Sequence, residues 1–357
     1  MNHPIHHPLL QTRWPLIQAP MAGCQDEGLA LAVSAAGALG SLPAALLNAP
    51  ALEDALQRLQ ASGRPYALNF FAHAPVQPAP ALLERWQRRL RPFYAELGLA
   101  GPPPAQAGRR AFDDEAAELL SHYRPSVVSF HFGLPVPALL ARVRATGARI
   151  LSSATTLQEA LFLQRRGVDG VIAQGLEAGG HRGHFLPGTE LAQQRELDQL
   201  LPALLARLAV PVIAAGGIAT AQRVQQLLAQ GATAVQVGTA FLLCDEASTP
   251  PLHRARLRDG KPDEPTVLTN VFTGGVARGL PNRLSRELGA LCADAPPFPW
   301  AGASLAPLRQ WAEAHGRDDF SPLWAGSRRE GLRAGPAAAI VRALMGGGEP
   351  SSNEVIS

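Results

Sequence analysis

The chain has 357 residues, of which 46% are hydrophobic and 17% are charged. No apolar run approaches the ~20 residues that a membrane-spanning helix needs, so the composition excludes a membrane protein and a largely disordered chain. The net charge is only +3 and basic residues are scattered among acidic ones, which argues against nucleic-acid binding. The length fits either two domains or one (β/α)₈ barrel with insertions.

Lysine is nearly absent from this sequence. Of the 32 lysines and arginines, only Lys261 is a lysine, and it lies in a loop-like stretch rather than at a strand end or a helix start. This position argues against a Schiff-base enzyme and against a Walker-type phosphate loop. Any bound phosphate must therefore be held by backbone amides or by arginine.

The cysteines and the N-terminus predict a cytoplasmic protein with reduced thiols. The three cysteines, Cys24, Cys244 and Cys292, are odd in number and lack metal-ligand spacing. The first fifteen residues contain histidines and prolines instead of the apolar core of a signal peptide. We therefore expect no structural metal.

Eight short apolar runs alternate with amphipathic helical patterns along the chain. Continuous apolar runs are typical of parallel strands that are covered on both faces. Eight such units in order predict an α/β fold, a closed TIM barrel. The predicted strands are 16–19, 38–42, 67–71, 127–131, 149–152, 170–173, 210–214 and 234–237.

Two stretches exceed what a barrel needs, namely 74–125 and 247–323. We expect them to pack together as a smaller lid, because the loops that follow barrel strands emerge on one face. The alternative is that they are unrelated surface decorations. The barrel domain would then comprise 1–73, 126–246 and 324–346, and 347–357 would be a disordered tail.

Glycines follow the seventh and eighth predicted strands, where barrels commonly bind phosphate. Without a Cβ, Gly216, Gly217 and Gly238 let the backbone approach an anion closely. Each glycine alone could simply form a tight turn, but two sites on adjacent strands favour a phosphate site. Asn69 and Gln174, at other strand ends, could bind the rest of an extended phosphate ester such as a flavin.

His181 is the best candidate for catalysis. It lies in a glycine-flanked loop after the sixth strand, where an imidazole could act as a base or place positive charge near an anionic substrate. His184 could suggest a metal pair, but no carboxylate or cysteine completes one. His131 is interpreted as a core or pocket-wall residue, and Cys24 as a small buried hydrophobe.

Taken together, the strand-end motifs resemble those of the nitronate monooxygenases, formerly called 2-nitropropane dioxygenases, and are class I-like. The resemblance covers nearly the whole chain, and the long motif after the sixth strand is its most specific part. The matching segments are 18–23 (QAPMAG), 127–133 (VVSFHFG), 152–156 (SSATT), 173–183 (AQGLEAGGHRG), 214–218 (AAGGI) and 236–241 (QVGTAF).

This resemblance implies an FMN enzyme that oxidises alkyl nitronates, such as propionate 3-nitronate, with O₂ to a carbonyl compound and nitrite or nitrate. It assigns His181 as the catalytic histidine, which would deprotonate a neutral nitroalkane or stabilise the nitronate. The redox step would belong to the flavin. The residues implied to hold FMN are Met21, Ala22, Asn69, Gln174, Gly179, Gly217, Gln236, Val237, Gly238 and Thr239.

One departure from the family pattern lies near the C-terminus, where 323–326 (LWAG) matches but Ser327 replaces the expected glutamine. This puts a polar contact and the substrate preference in doubt more than the cofactor. Two alternatives stay open: an FMN-dependent enoyl-thioester reductase that uses NAD(P)H, and a non-catalytic flavin binder. The sequence does not give the physiological nitronate or the oligomeric state.

Overall fold

The computed structural model describes residues 7–347 except 105 and 262. The predicted disordered tail therefore lies outside the described residues apart from residue 347. The strands are β1 (Leu16–Gln18), β2 (Gly40–Pro43), β3 (Tyr66–Phe71), β4 (Val127–His131), β5 (Arg149–Ala154), β6 (Gly170–Gln174), β7 (Gly180–His181), β8 (Val212–Ala215), β9 (Ala234–Val237), β10 (Val267–Thr269) and β11 (Ala277–Gly279).

Helices alternate with these strands. They are α1 (Glu27–Ala35), α2 (Ala49–Ala61), α3 (Pro80–Glu96), α4 (Asp114–Tyr123), α5 (Pro137–Ala145), α6 (Leu157–Arg165), α7 (Leu197–Leu205), α8 (Ala221–Ala229), α9 (Pro251–Asp259), α10 (Arg283–Glu287), α11 (Ala306–Ala314) and α12 (Ala337–Leu344). Among the described residues, none of these helices combines the length and apolarity needed to cross a membrane.

Eight parallel strands form one sheet in the order β1-β9-β8-β6-β5-β4-β3-β2. The sheet closes between β1 and the start of β2, because the Leu39 N–H donates to the Leu16 oxygen and the Gln18 N–H donates to the Leu39 oxygen, both at 2.9 Å. The predicted TIM barrel is confirmed, with all eight strands in the predicted order. Only bounds differ: β8 begins at Val212, just after Pro211, which has no N–H for the ladder.

The barrel interior is filled by aliphatic residues from all eight strands or strand starts, two of them from β8, together with Leu9 and Leu10. The larger core lies between the strands and the surrounding helices. Within the segment 74–125, α4 belongs to this outer core through Ala117, Leu120 and Tyr123. The floor of the barrel is therefore closed, and only its C-terminal end can hold a ligand.

A second hydrophobic cluster joins α3 to residues 271–320. Trp86, fully buried, donates its indole N–H to the Ala301 oxygen, and the Tyr94 hydroxyl donates to the Ser304 oxygen. Strand β11 pairs with β10 on one side and with β7, in the loop after β6, on the other. The three strands form a small antiparallel sheet in the order β10-β11-β7. The second insertion is thus hydrogen-bonded to the loop that carries His181. The division into barrel and lid stays a prediction.

Candidate active site

A cleft of about 1340 Å³ opens at the C-terminal ends of the barrel strands. The eleven residues singled out in the sequence all line it, although they come from five separate segments of the chain. They are Met21, Ala22, Asn69, Gln174, Gly179, His181, Gly217, Gln236, Val237, Gly238 and Thr239. The barrel topology brings them together because parallel strands end at the same rim.

One end of the cleft is a cradle of backbone N–H groups. Gly217 has a φ of +64°, and a Cβ there would lie 3.1 Å from Glu177 Cβ and 3.3 Å from Arg328 Cδ. Within the part of the chain that the structure describes, the N–H groups of Gly217, Gly238 and Thr239 donate to no backbone or side-chain oxygen. Three unpaired donors and the nearby Arg328 side chain form a site suited to a phosphate group.

The middle of the cleft offers amide side chains. Asn69 is buried, and its Nδ2 donates to the Ser129 hydroxyl oxygen at 3.0 Å. Gln174 is used differently: its Nε2 donates to the His181 carbonyl oxygen at 2.9 Å, and its Oε1 accepts from the Gly183 N–H at 2.8 Å. Gln174 therefore lines the cleft and also holds the backbone on both sides of Arg182, in the loop after β6 that we call the histidine loop.

His181 lies half-buried in the cleft, on β7, and pairs with Ala277 of β11. Its Nε2 lies 2.8 Å from the Thr273 hydroxyl, whereas its Nδ1 has no hydrogen-bond partner among the described residues. Burial, together with the charges of the neighbouring His131 and Arg109, lowers the pKa of His181 to about 3. The imidazole is therefore neutral at pH 7. Of the two roles expected from the sequence, a neutral ring favours the base over the positive charge, although so low a pKa makes it a weaker base than a free imidazole.

His131 lines the cleft behind His181, as expected for a pocket-wall residue. Its Nε2 lies 3.1 Å from the His181 carbonyl oxygen, which can only accept, so Nε2 must carry the proton. Nδ1, at 3.0 Å from the Ser153 hydroxyl, then accepts from that group. Burial lowers the pKa of His131 to about 4. His131 therefore positions the backbone of the histidine loop.

Arg182 holds the histidine loop against the end of β6, and its side chain is completely buried. Its guanidinium donates to the Gly175 oxygen at 2.7 Å, to the Gln174 oxygen at 2.8 Å and to Gln194 Oε1 at 2.8 Å. Burial lowers the pKa of Arg182 to about 9, so the group stays charged at neutral pH. The arginine thus binds the carbonyl oxygens at the end of β6, and the Gly175 oxygen also accepts from the Ala178 N–H.

The segment 324–328 closes one side of the cleft. Trp324 lies 5.5 Å from the His181 ring, and the Gly326 N–H donates to the Thr239 hydroxyl oxygen at 2.9 Å. Ser327, which departs from the family pattern, donates its backbone N–H to the Glu177 oxygen at 3.0 Å. A serine therefore keeps the backbone contact of this segment without the longer amide side chain.

Cys24 also lines the cleft, but it is poorly suited to nucleophilic chemistry. Burial raises the pKa of its thiol to about 11, and Sγ lies 3.8 Å from His253 Nδ1. Within the described residues, no group of three His, Cys, Asp or Glu side chains could hold a metal ion. The cleft's candidate for proton transfer is therefore His181.

Two arginines of the cleft were missed in the sequence, Arg109 and Arg328. Each lines the cleft without an ion pair to a described carboxylate. No signal distinguishes them among so many arginines, since both lie outside the strand-end motifs. Trp324, which lies in the matching segment 323–326, also lines the cleft.

Several known proteins are similar to this chain in sequence or in fold. The model of the nitronate monooxygenase family matches residues 4–347. A nitronate monooxygenase from Pseudomonas aeruginosa is 38% identical, with 94% of this chain and 97% of the relative covered. A second, from Paraburkholderia phytofirmans, is 37% identical, with 94% and 93% covered.

Among solved structures, a nitroalkane oxidase from Streptomyces ansochromogenes superimposes with a TM-score of 0.85 at 36% identity, with 94% of this chain and 95% of the other covered. FabK from Thermotoga maritima has a TM-score of 0.68 at 22% identity, covering 95% and 94%, and so shares the fold. The sequence and structural relatives agree, and the chain belongs to the nitronate monooxygenase family of oxidoreductases.

Proposed function

We propose that this enzyme oxidises alkyl nitronates, such as propionate 3-nitronate, with O₂ to a carbonyl compound and nitrite or nitrate, using bound FMN. Family membership supports nitronate oxidation, and a flavin is implied by the family. The observation that carries the proposal is a neutral histidine, His181, in the same cleft as a cradle of unpaired backbone N–H groups. We also propose that the protein is cytoplasmic, which the free cysteines support. We propose no nucleic-acid or membrane partner for it.

The donor set of the cleft fits FMN. The N–H groups of Gly217, Gly238 and Thr239 would hold the phosphate, with Arg328 as the nearby cation. The remaining residues that would hold the cofactor are Met21, Ala22, Asn69, Gln174, Gly179, Gln236 and Val237. The redox chemistry, electron transfer from the nitronate and reaction with O₂, would be supplied by the bound flavin.

His181 would act as the base toward neutral nitroalkanes. A neutral imidazole can take the proton from the carbon next to the nitro group, and the Thr273 hydroxyl holds the ring through Nε2. Water would be kept from this step by Trp324 and by Phe298, whose rings lie 5.5 and 5.2 Å from the His181 ring. Nitronates, which are already deprotonated, would not need this step.

We further propose that α3 and the second insertion form a lid over the cleft. The cluster that joins α3 to residues 271–320 supports this, because the two insertions share a hydrophobic core. The β7–β11 pairing supports it as well, since it ties the second insertion to the rim of the barrel.

The test is nitronate-dependent oxygen uptake by the FMN-loaded protein, with propionate 3-nitronate and a neutral nitroalkane compared. We expect His181→Asn to lower activity on the nitroalkane by about 100-fold or more, and to lower activity on the nitronate less. His184→Asn is the matched control, since His184 is in the same loop but does not line the cleft.

Three results would contradict the proposal. A colourless protein that takes up no FMN would exclude a flavin enzyme. Rapid anaerobic bleaching of the flavin by NADPH, without nitronate turnover, would favour the enoyl-thioester reductase. Unchanged turnover of both substrates by His181→Asn would remove His181 from the mechanism.

A further inference from the structure

A second cavity, of about 760 Å³, adjoins the cleft beside His181. We call it the side chamber; its walls include Arg109, Phe272, Thr273, Phe298, Leu305 and Arg309. Arg109 lines both the cleft and the side chamber, and Thr273 of the chamber wall contacts His181. The side chamber is therefore within reach of a substrate whose reacting carbon lies at His181.

Arg109 has no ion pair with a carboxylate among the described residues. Its guanidinium makes one hydrogen bond to a described residue, at 3.3 Å to the carbonyl oxygen of the adjacent Gly108. Burial lowers the pKa of Arg109, and the charge of Arg309 lowers it further. A half-buried guanidinium with free donors is well suited to bind a carboxylate through two hydrogen bonds.

The charges around Arg109 also favour the binding of an anion there. Among the described residues that line the cleft and the side chamber, none is an aspartate or a glutamate. Arg309 is already paired with Glu313 at 2.7 Å, so Arg109 is the cation left without a carboxylate beside His181. At the opposite end of the cleft, Arg328 lies by the backbone cradle proposed for the phosphate.

The cleft thus contains two arginines in different settings, Arg328 beside the backbone cradle and Arg109 where the cleft meets the side chamber. With the cofactor held at the cradle, Arg109 is the cation that lies near His181 and is available to an anionic substrate tail. We propose that the side chamber is a subsite for the substrate's tail and that Arg109 selects nitronates carrying a terminal carboxylate. This inference rests on the proposed function and deepens it.

The kinetic test compares propionate 3-nitronate with propyl-1-nitronate, which lacks the carboxylate, on the FMN-loaded enzyme. Loss of a charge-assisted contact predicts that Arg109→Gln lowers kcat/KM for propionate 3-nitronate by about 10- to 100-fold. We expect the value for propyl-1-nitronate to change less than about 2-fold and Arg109→Lys to restore part of the preference. The control is Arg110→Gln, because Arg110 is exposed and paired with Asp113 and Glu115.

Equal losses for both nitronates would overturn the inference, because they would place Arg109 at the nitronate group or in the fold. No loss for either would also overturn it. In both cases the proposed function would stand, since the wild-type enzyme would still turn over nitronates.

A binding measurement keeps the inference testable if no nitronate is turned over. Calorimetric titration of the FMN-loaded enzyme with butanoate and with butanamide compares two unreactive ligands that differ in charge. We expect butanoate to bind at least about 10-fold more tightly, and Arg109→Gln to remove the difference. Equal affinities in the wild type, or a preference that survives the substitution, would overturn the subsite.

Discussion

The Nε2 of His131 donates to the backbone carbonyl oxygen of His181 across 3.1 Å, so one histidine holds the main chain of the other. Gly183 makes room for this contact, since a Cβ there would lie 2.6 Å from His131 Cε1. We expect His131→Phe to lower kcat by about 10-fold, the value of one hydrogen bond, with FMN content unchanged.

The conservative variant His131→Gln has an amide N–H that can reach the same carbonyl oxygen and should recover part of the rate. Steady-state kinetics of both variants provides the measurement. If His131→Phe changed KM alone, or if His131→Gln were as slow as His131→Phe, His131 would not act through the His181 backbone.

Arg182 should contribute strongly to stability. Replacing it by methionine removes the guanidinium from three buried oxygen acceptors, of which the Gly175 oxygen keeps the Ala178 N–H as a donor, and this predicts a loss of about 3 kcal/mol in the free energy of unfolding. Urea denaturation measures the loss. The exposed Arg195, changed to methionine in the same way, should cost almost nothing, and equal losses in the two variants would show that the buried hydrogen bonds do not matter.

Gly217→Ala should weaken FMN binding by about 10-fold, because an alanine at a φ of +64° costs about 1–2 kcal/mol and its Cβ would crowd the cradle. Fluorescence quenching of FMN on titration measures the affinity. Gly63→Ala is the control: Gly63 has nearly the same φ, +63°, and a Cβ at that position would meet no atom within 4 Å. Comparable FMN affinity of Gly217→Ala and the wild type would argue against this cradle.

Stability should fall as the pH drops below about 6.5, in part through His253. This histidine is 2% exposed, and burial lowers its pKa to about 4. Between those pH values the unfolded chain binds a proton that the folded chain excludes, so stability decreases with falling pH by up to about 1.4 kcal/mol per unit. Above pH 6.5 the group is neutral in both states and has no effect.

Urea midpoints at pH 7, 6 and 5 measure this slope. His253→Gln should reduce the slope of stability against pH by the contribution of one proton, whatever the variant does to stability at pH 7. His122→Gln, on the exposed side of α4, should leave the slope unchanged. A slope as steep in His253→Gln as in the wild type would assign the pH dependence to other groups.

The fold could be predicted because apolar runs and turn glycines record the alternation of strand and helix directly. The cleft lining could be predicted for the same reason: each site residue lies in the C-terminal half of a strand or in the loop that follows a strand, and a barrel gathers its strand ends at one rim. Gly217, Gly238 and His181, far apart in the chain, all line one cleft as this reasoning requires.

Other parts of the site have no local pattern. The pairing of β7 with β11 involves two residues of the histidine loop, too few to show an alternation. The contact between His181 and Thr273 accompanies that pairing. Arg109 approaches from the other insertion, where the Gly108 N–H donates to the Pro299 oxygen at 3.1 Å. The double use of Gln174, as cleft wall and loop clamp, likewise follows from the path of the loop rather than from a motif.

The small sheet β10-β11-β7 joins His181 to the hairpin formed by β10 and β11. Because His181 is hydrogen-bonded into the same sheet as this hairpin, a movement that lifts the hairpin off the barrel would also withdraw the imidazole. In the proposed mechanism, proton abstraction would then be coupled to closure, since the imidazole would be in place only when the hairpin lies over the cleft. Changes that reshape the hairpin for a new substrate would also have to keep the register of Ala277 against His181.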